Sequence, residues 1–339
     1  MIRGARATGS QPAAEEAAQA VLDAGGGAVD AAIAGFFGAA GADPGVLLAP
    51  AMGLVAGFGT GARVFDGRAV QPGRGAARPR GFVGDAAIPD AARVAVPRSI
   101  GMLVLLHTYR GRATLHELAR AGVVAAESAG AKQRAALVRK VGQAGVLALR
   151  TPEVSRVLLA AGGAVAGGIL TAADLEETAP AEMEATASEL GEGITVYAPP
   201  FAPADEAGGD AEVVVTCDQR GVLAAIAYVP ARGGVALADL EIEVRRDAVP
   251  VRRGVTRLAP GLALPMAAPV VIAVQTGGFA AALGLPGRPT LSLGALGALG
   301  GLMKGAALET ALAELRERLG GRAAVAVVTD GKTARSARA

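Results

Sequence analysis

Residues 21–34 read Val-Leu-Asp-Ala-Gly-Gly-Gly-Ala-Val-Asp-Ala-Ala-Ile-Ala. The run predicts an Ala-rich helix closing at Asp23-Ala24, a turn at Gly25-Gly26-Gly27, and a second helix from near Val29. Gly enters positive-φ conformations without steric cost, so a Gly triplet ends one helix and releases the chain into the next. Asp30 falls in the first turn of the second helix, where the exposed N–H groups favour negative charge. Small residues on both helices allow their backbones to approach closely. Ser10 is a candidate cap for the first helix, which runs through 13–22.

Composition sets the class. The chain has 339 residues, 52% of them hydrophobic and 19% charged, which suits a folded domain with a substantial core and not a disordered segment. Thirty-three basic residues balance 31 acidic ones, and only 3% of residues are aromatic, so neither an electrostatic footprint nor a stacking platform for nucleic acid is present. Cys217, His107 and His116 are too few and too scattered for a metal site, so neither metal nor cofactor is expected. The lone cysteine allows no internal disulfide. No charged segment followed by an apolar one opens the chain, and no apolar run reaches the length of a membrane span, so a cytoplasmic protein without membrane contact is expected.

Further signals lie along the chain. Residues 62–65 read as a strand, with Asp66-Gly67 as a hairpin turn. Thr114-x-x-Glu117 is a capping box, and Thr171-x-x-Asp174 opens a short helix in the same manner. Residues 323–329 alternate as a strand. Leu308, Leu312, Leu315 and Leu319 form one apolar helical stripe. Residues 1–10 and 332–339 read as loose ends of a single domain spanning 1–339.

The Leu-Asp-Ala-Gly-Gly run resembles the signature of the gamma-glutamyltranspeptidase family of N-terminal-nucleophile hydrolases. Other segments are similar to that family as well: Asp43-Pro44, Val96–Tyr109, Gly167–Leu175 and Ile194–Pro200. The resemblance implies an α+β fold, a four-layer αββα sandwich. In the family, self-cleavage exposes a Thr that attacks the γ-glutamyl amide. Aligning Asp218–Gly221 with the family's Asp-x-Asp-Gly hairpin puts Ala211 at that nucleophile, Glu212 on the next Thr and Val213 on the following His. Alanine has no nucleophilic atom, so a single unprocessed and catalytically inactive chain is expected.

The family's remaining site elements are altered. Its carboxylate-holding Arg aligns with Arg74 in this reading, and a guanidinium is chemically suited to that task; the bland reading is one solvated arginine among several. Its amine-holding acid falls in residues 237–244, on Glu243 or Asp239, which an ordinary half-exposed strand explains equally. Its serines are replaced in Leu264–Val271. Its oxyanion glycines fall on Gly297 and Ala298. Thr216 or Cys217 as a relocated nucleophile stays open, against a strand-end Thr and a small buried thiol.

The expected function is therefore a binding, structural or assembly subunit. An amide hydrolase with a relocated nucleophile and a sensor of an amino-acid-like ligand are the alternatives. The family's long helical segment before the cleavage site is nearly absent. Residues 45–61 carry Val46, Leu47, Leu48, Met52, Leu54, Val55 and Phe58, an apolar set for a loop. They are the candidate surface for a protein partner or a second copy.

Overall fold

The computed structural model describes residues 1–77, 81–177, 179–191, 193–201, 210–286, 308–319 and 323–339. Helix α1 (Pro12–Asp23) ends on Gly25 at φ 82°, and α2 (Ala28–Ala42) follows at once. The Gly26 N–H donates to Val21 O at 2.9 Å, closing the helix end. The close approach inferred from small residues is real. A Cβ on Gly38 would collide with the Ala13 carbonyl, and one on Gly41 with the Gly122 carbonyl of helix α4 (Leu115–Ser128). Ala-rich, Gly-rich α2 is therefore buried nearly throughout, clamped between α1 and α4.

Two six-stranded antiparallel sheets form the centre. The first is ordered β1 (Arg6–Gly9), β7 (Glu212–Cys217), β8 (Val222–Tyr228), β2 (Ala51–Gly57), β3 (Thr60–Gly67) and β4 (Ala181–Glu184). The second is ordered β14 (Ala334–Arg338), β13 (Val325–Thr329), β12 (Phe279–Gly284), β11 (Val270–Gln275), β6 (Ile194–Ala198) and β5 (Thr186–Glu189). A small hairpin, β9 (Val235–Leu237) and β10 (Ile242–Val244), stands apart.

Side-chain alternation sorts each strand's residues into layers. Val213, Val215, Leu54 and Ala225 meet Val270, Ile272, Ala282 and Val327 between the sheets. Val214, Ile226 and Tyr228 face α1, α2, α3 (Ser99–Arg110) and α5 (Lys132–Ala144). Leu308, Leu312 and Leu315 of α8 (Leu308–Leu319) cover the outer face of the second sheet. Helix, sheet, sheet and helix follow in order, the expected αββα sandwich. The capping boxes at Thr114 and Thr171 are formed, the latter opening α7 (Ala172–Glu177) after α6 (Pro152–Gly162).

Several expectations are corrected. Neither end of the chain is loose: β1 pairs with β7, and β14 pairs with β13, because each satisfies the open backbone groups of a sheet edge. Helix α1 takes Gln11 at its N-cap, and Ser10 instead bridges to Val213. Asp66-Gly67 is no hairpin turn but the end of β3; the turn lies at Phe58-Gly59. Residues 237–244 are not one strand, since Glu241 adopts φ 51° between β9 and β10. Residues 45–61 are not a surface loop. Val46, Leu47 and Leu48 pack under the helices, and Met52, Leu54 and Val55 belong to β2, with two strand neighbours. An apolar run of this kind reads as a fully buried central strand, because both of its faces are covered. Among the described residues, no helix is long and apolar enough to cross a membrane.

Candidate functional site

The strand register locates the site. Glu212 of β7 pairs with Tyr228 of β8, Tyr228 with Ala51 of β2, and Ala51 with Gly67 of β3. One residue further out, the same row comprises Ala211, Val229, Pro50 and Arg68, with Val229 N–H donating to Pro50 O at 3.0 Å. Ala211 and Arg68 thus lie at one end of the first sheet, three strand spacings or roughly 14 Å apart. Ala211 and Val229 are fully buried in the layer between the sheets, together with Met266, Ala267 and Ala268.

Arg68, directly after Asp66-Gly67 at the end of β3, is the arginine in this row, and reading Asp66-Gly67 as a turn concealed it. Arg68 grips the buried Asp66 carboxylate with Nε at 3.0 Å and Nη2 at 3.1 Å, and its guanidinium lies 3.8 Å from the Phe201 ring centre. Arg98, at the head of α3, approaches Asp66 at 3.8 Å with its own side chain buried. Burial holds the Arg98 pKa below its usual value, with Asp66 opposing the shift and Arg68 adding to it. Two guanidinium groups thus face one carboxylate, leaving net positive charge at this end of the row. Nothing in the sequence analysis had singled out Arg98.

Arg74 belongs to a different network. Asp174 accepts its backbone N–H at 2.9 Å and that of Gly73 at 2.8 Å, while its Nη1 lies 3.5 Å from Glu177. Glu243 sits on the small hairpin, where its Oε2 accepts the Gly234 N–H at 3.4 Å. The described contacts of Arg74 and Glu243 do not bring them together. Asp239 is exposed. Gly297 and Ala298 lie outside the described residues.

Thr216 and Cys217 lie at the opposite end of β7 from Ala211. Thr216 Oγ1 donates to Ala28 O at 2.8 Å and to Ala224 O at 3.2 Å, inside the core. Cys217 is wholly buried, and burial reinforced by Asp218 pushes its thiol up to about 12. A thiolate is the attacking form, so native protein is expected to resist alkylation by iodoacetamide at pH 8. One equivalent should react only after denaturation. Rapid labelling of the folded chain, read by mass, would contradict the burial of this thiol.

Asp30 and Asp218 anchor the Gly-Gly-Gly-Ala-Val-Asp run. Asp218 accepts the Ala28 N–H at 3.3 Å and, in the β7–β8 turn, those of Arg220 at 2.8 Å and Val222 at 3.1 Å. Asp30, fully buried, accepts the Arg112 N–H at 2.9 and 3.2 Å. The two carboxylates satisfy backbone donors that burial would otherwise leave unpaired. Asp218 joins the start of α2 to the β7–β8 turn, and Asp30 joins α2 to the loop between α3 and α4, a scaffolding role.

No protein-family model matches the chain, and no curated protein matches it by sequence. Solved structures do. Cephalosporin acylase from Bacillus halodurans is similar with a TM-score of 0.71 at 14% identity, over 99% of this chain and 97% of that one. LmbA2991HD is similar with a TM-score of 0.70 at 16% identity, over 98% and 96%. Gamma-glutamyltranspeptidase from Pseudomonas nitroreducens, complexed with L-DON, is similar with a TM-score of 0.51 at 17% identity, over 59% of this chain and 72% of that one. Identities this low speak for fold alone. The chain has the fold of the N-terminal-nucleophile hydrolases, the fold of cephalosporin acylase and gamma-glutamyltranspeptidase.

Proposed function

We propose that this protein is a catalytically silent relative of the gamma-glutamyltranspeptidases and acylases, retained as a binding or assembly subunit. The observation that carries the reading is Ala211. At the start of β7, where acyl transfer of this type needs a hydroxyl or thiol, stands a methyl group sealed between the sheets. The two relocated candidates sit at the far end of the strand, hydrogen-bonded or held protonated by burial. The neighbouring Met266, Ala267 and Ala268 add no hydroxyl.

Arg68 and Arg98 support binding of a carboxylate-bearing, amino-acid-like ligand at the other end of the row, in place of the Arg74 site. A protein partner or a second copy of the chain remains part of the proposal. Residues 45–57 are buried, so they are not offered as its docking surface.

Intact-mass measurement on the purified protein tests the reading. The expected result is one unbroken polypeptide, with no aniline released from a γ-glutamyl anilide above background in a parallel assay. Ala211→Thr alone should not restore turnover, because catalytic groups act as a unit. Two fragments with a break between residues 200 and 217, or turnover abolished by Cys217→Ala, would overturn the proposal.

A further inference from the structure

Between β10 and β11, residues 245–269 run without a helix or a regular strand. A connection this long inside a packed domain is uncommon, and such segments usually carry function. Residues 245–257 read Arg-Arg-Asp-Ala-Val-Pro-Val-Arg-Arg-Gly-Val-Thr-Arg, with five arginines, one aspartate and no lysine. Arginine is the cation enriched at protein interfaces, where lysine is depleted.

Neighbouring acids answer only part of this charge. Asp247 pairs with Arg245 at 2.9 Å, Asp90 with Arg246 at 2.7 Å and Asp85 with Arg252 at 2.8 Å. Arg253 is exposed and Arg257 half-buried, and neither has an ion pair among the described residues. The segment therefore keeps a positive excess at the surface.

Apolar side chains lie between the charges. Val249, Val255, Leu262 and Val83 are 39%, 55%, 49% and 79% exposed. Backbone hydrogen bonds hold them in a fixed frame. Gln71 donates from Nε2 to Val249 O and from its backbone N–H to Leu262 O, both at 2.9 Å. Phe82 O, next to Val83, accepts the Arg253 N–H at 3.1 Å, and the Val255 N–H donates to Arg252 O at 3.3 Å. Exposed apolar residues grouped in this way mark interaction surfaces.

We propose that this face docks an acidic segment of another protein, its carboxylates facing Arg252 and Arg253 and its apolar side chains covering Val249, Val255 and Leu262. Twofold pairing with a second copy would set the arginines against themselves, which charge repulsion disfavours. The assignment rests on the subunit role proposed above and names the surface and the chemistry of the partner.

Fluorescence anisotropy on the intact chain tests it, with a short labelled peptide of alternating glutamate and leucine as probe. The peptide should bind with a Kd below about 100 μM at low salt, and at least fivefold more weakly at physiological salt, because the charges are exposed. A glutamate–serine peptide should bind at least tenfold more weakly, and a lysine–leucine peptide not at all. Arg253→Glu and Val255→Asp, both at exposed positions, should each weaken the probe at least fivefold. Arg335→Glu, an exposed arginine on β14, should leave binding unchanged. Absence of binding, or binding unchanged in Arg253→Glu or Val255→Asp, would overturn the proposal. Equal binding of single-stranded oligothymidylate would overturn it in favour of nucleic acid, and a dimer in sedimentation that Val255→Asp dissociates would overturn it in favour of a second copy. Intact mass and turnover decide the inactive-chain reading independently, so a failure of either is told apart from a failure of the other.

Discussion

Leu54→Asp is expected to abolish cooperative folding. Leu54 lies in the middle of β2, paired with Ala225 on one side and Val64 on the other, with no solvent exposure. Truncating a buried leucine costs about 2–5 kcal/mol. An aspartate there adds an unpaired carboxylate in the layer between the sheets, which costs more again. The sum is comparable with the whole stability of a typical domain, about 5–15 kcal/mol. Leu47→Asp should act in the same way under the helix layer, where Ser99 Oγ donates to Leu47 O at 2.8 Å. Leu54→Ala is the graded control and should lose about 3 kcal/mol. Urea unfolding followed by circular dichroism measures all three. A soluble Leu54→Asp protein with a cooperative transition near that of wild type would return residues 45–61 to the surface and restore them as a docking candidate.

The second large effect concerns Asp218. Asp218→Ala removes one carboxylate that accepts three backbone N–H groups, from Ala28, Arg220 and Val222. Hydrogen bonds to a charged acceptor contribute about 1.5–3 kcal/mol each, and buried donors left without partners add a penalty. Water can still serve Arg220 in the exposed part of the turn, so the expected loss is about 3–4 kcal/mol. Asp218→Asn keeps an acceptor oxygen and should lose less than half as much. Both variants should expose Cys217 to alkylation well below the midpoint of global unfolding, since the β7–β8 turn opens first. An Asp218→Ala protein as stable as wild type would mean that the joint between α2 and β7 is held by packing alone.

These expectations show where local and long-range reasoning parted. The helix end at Gly25, the capping boxes at Thr114 and Thr171 and the leucine stripe of α8 rest on interactions between residues a few positions apart. Their geometry is set by backbone sterics and the helical repeat, so they are legible in order along the chain. The strand alternation of β13 is legible for the same reason. Residues 45–61 were misread because a continuous apolar run has no period to mark it. Burial on both faces erases the alternation that identifies a strand. The two ends of the chain were misread because an edge strand of four or five residues carries little signal until a partner strand is beside it.

By itself, then, the sequence determined the helix ends, the caps and the identity of Ala211, which follow from residue type and short-range pattern, while the layer architecture came from its resemblance to a known family. Only the tertiary structure decided which residues share the site. Ala211 and Arg68 lie 143 positions apart (211 − 68), and the register β7–β8–β2–β3 sets them in one row at the same end of the sheet. That register is chosen by burying one face of every strand at once, a cooperative condition that no single segment contains. The same condition placed Arg98 beside Asp66 and set Arg74 against Asp174 of α7, because contacts between distant segments depend on how whole layers stack and not on spacing along the chain.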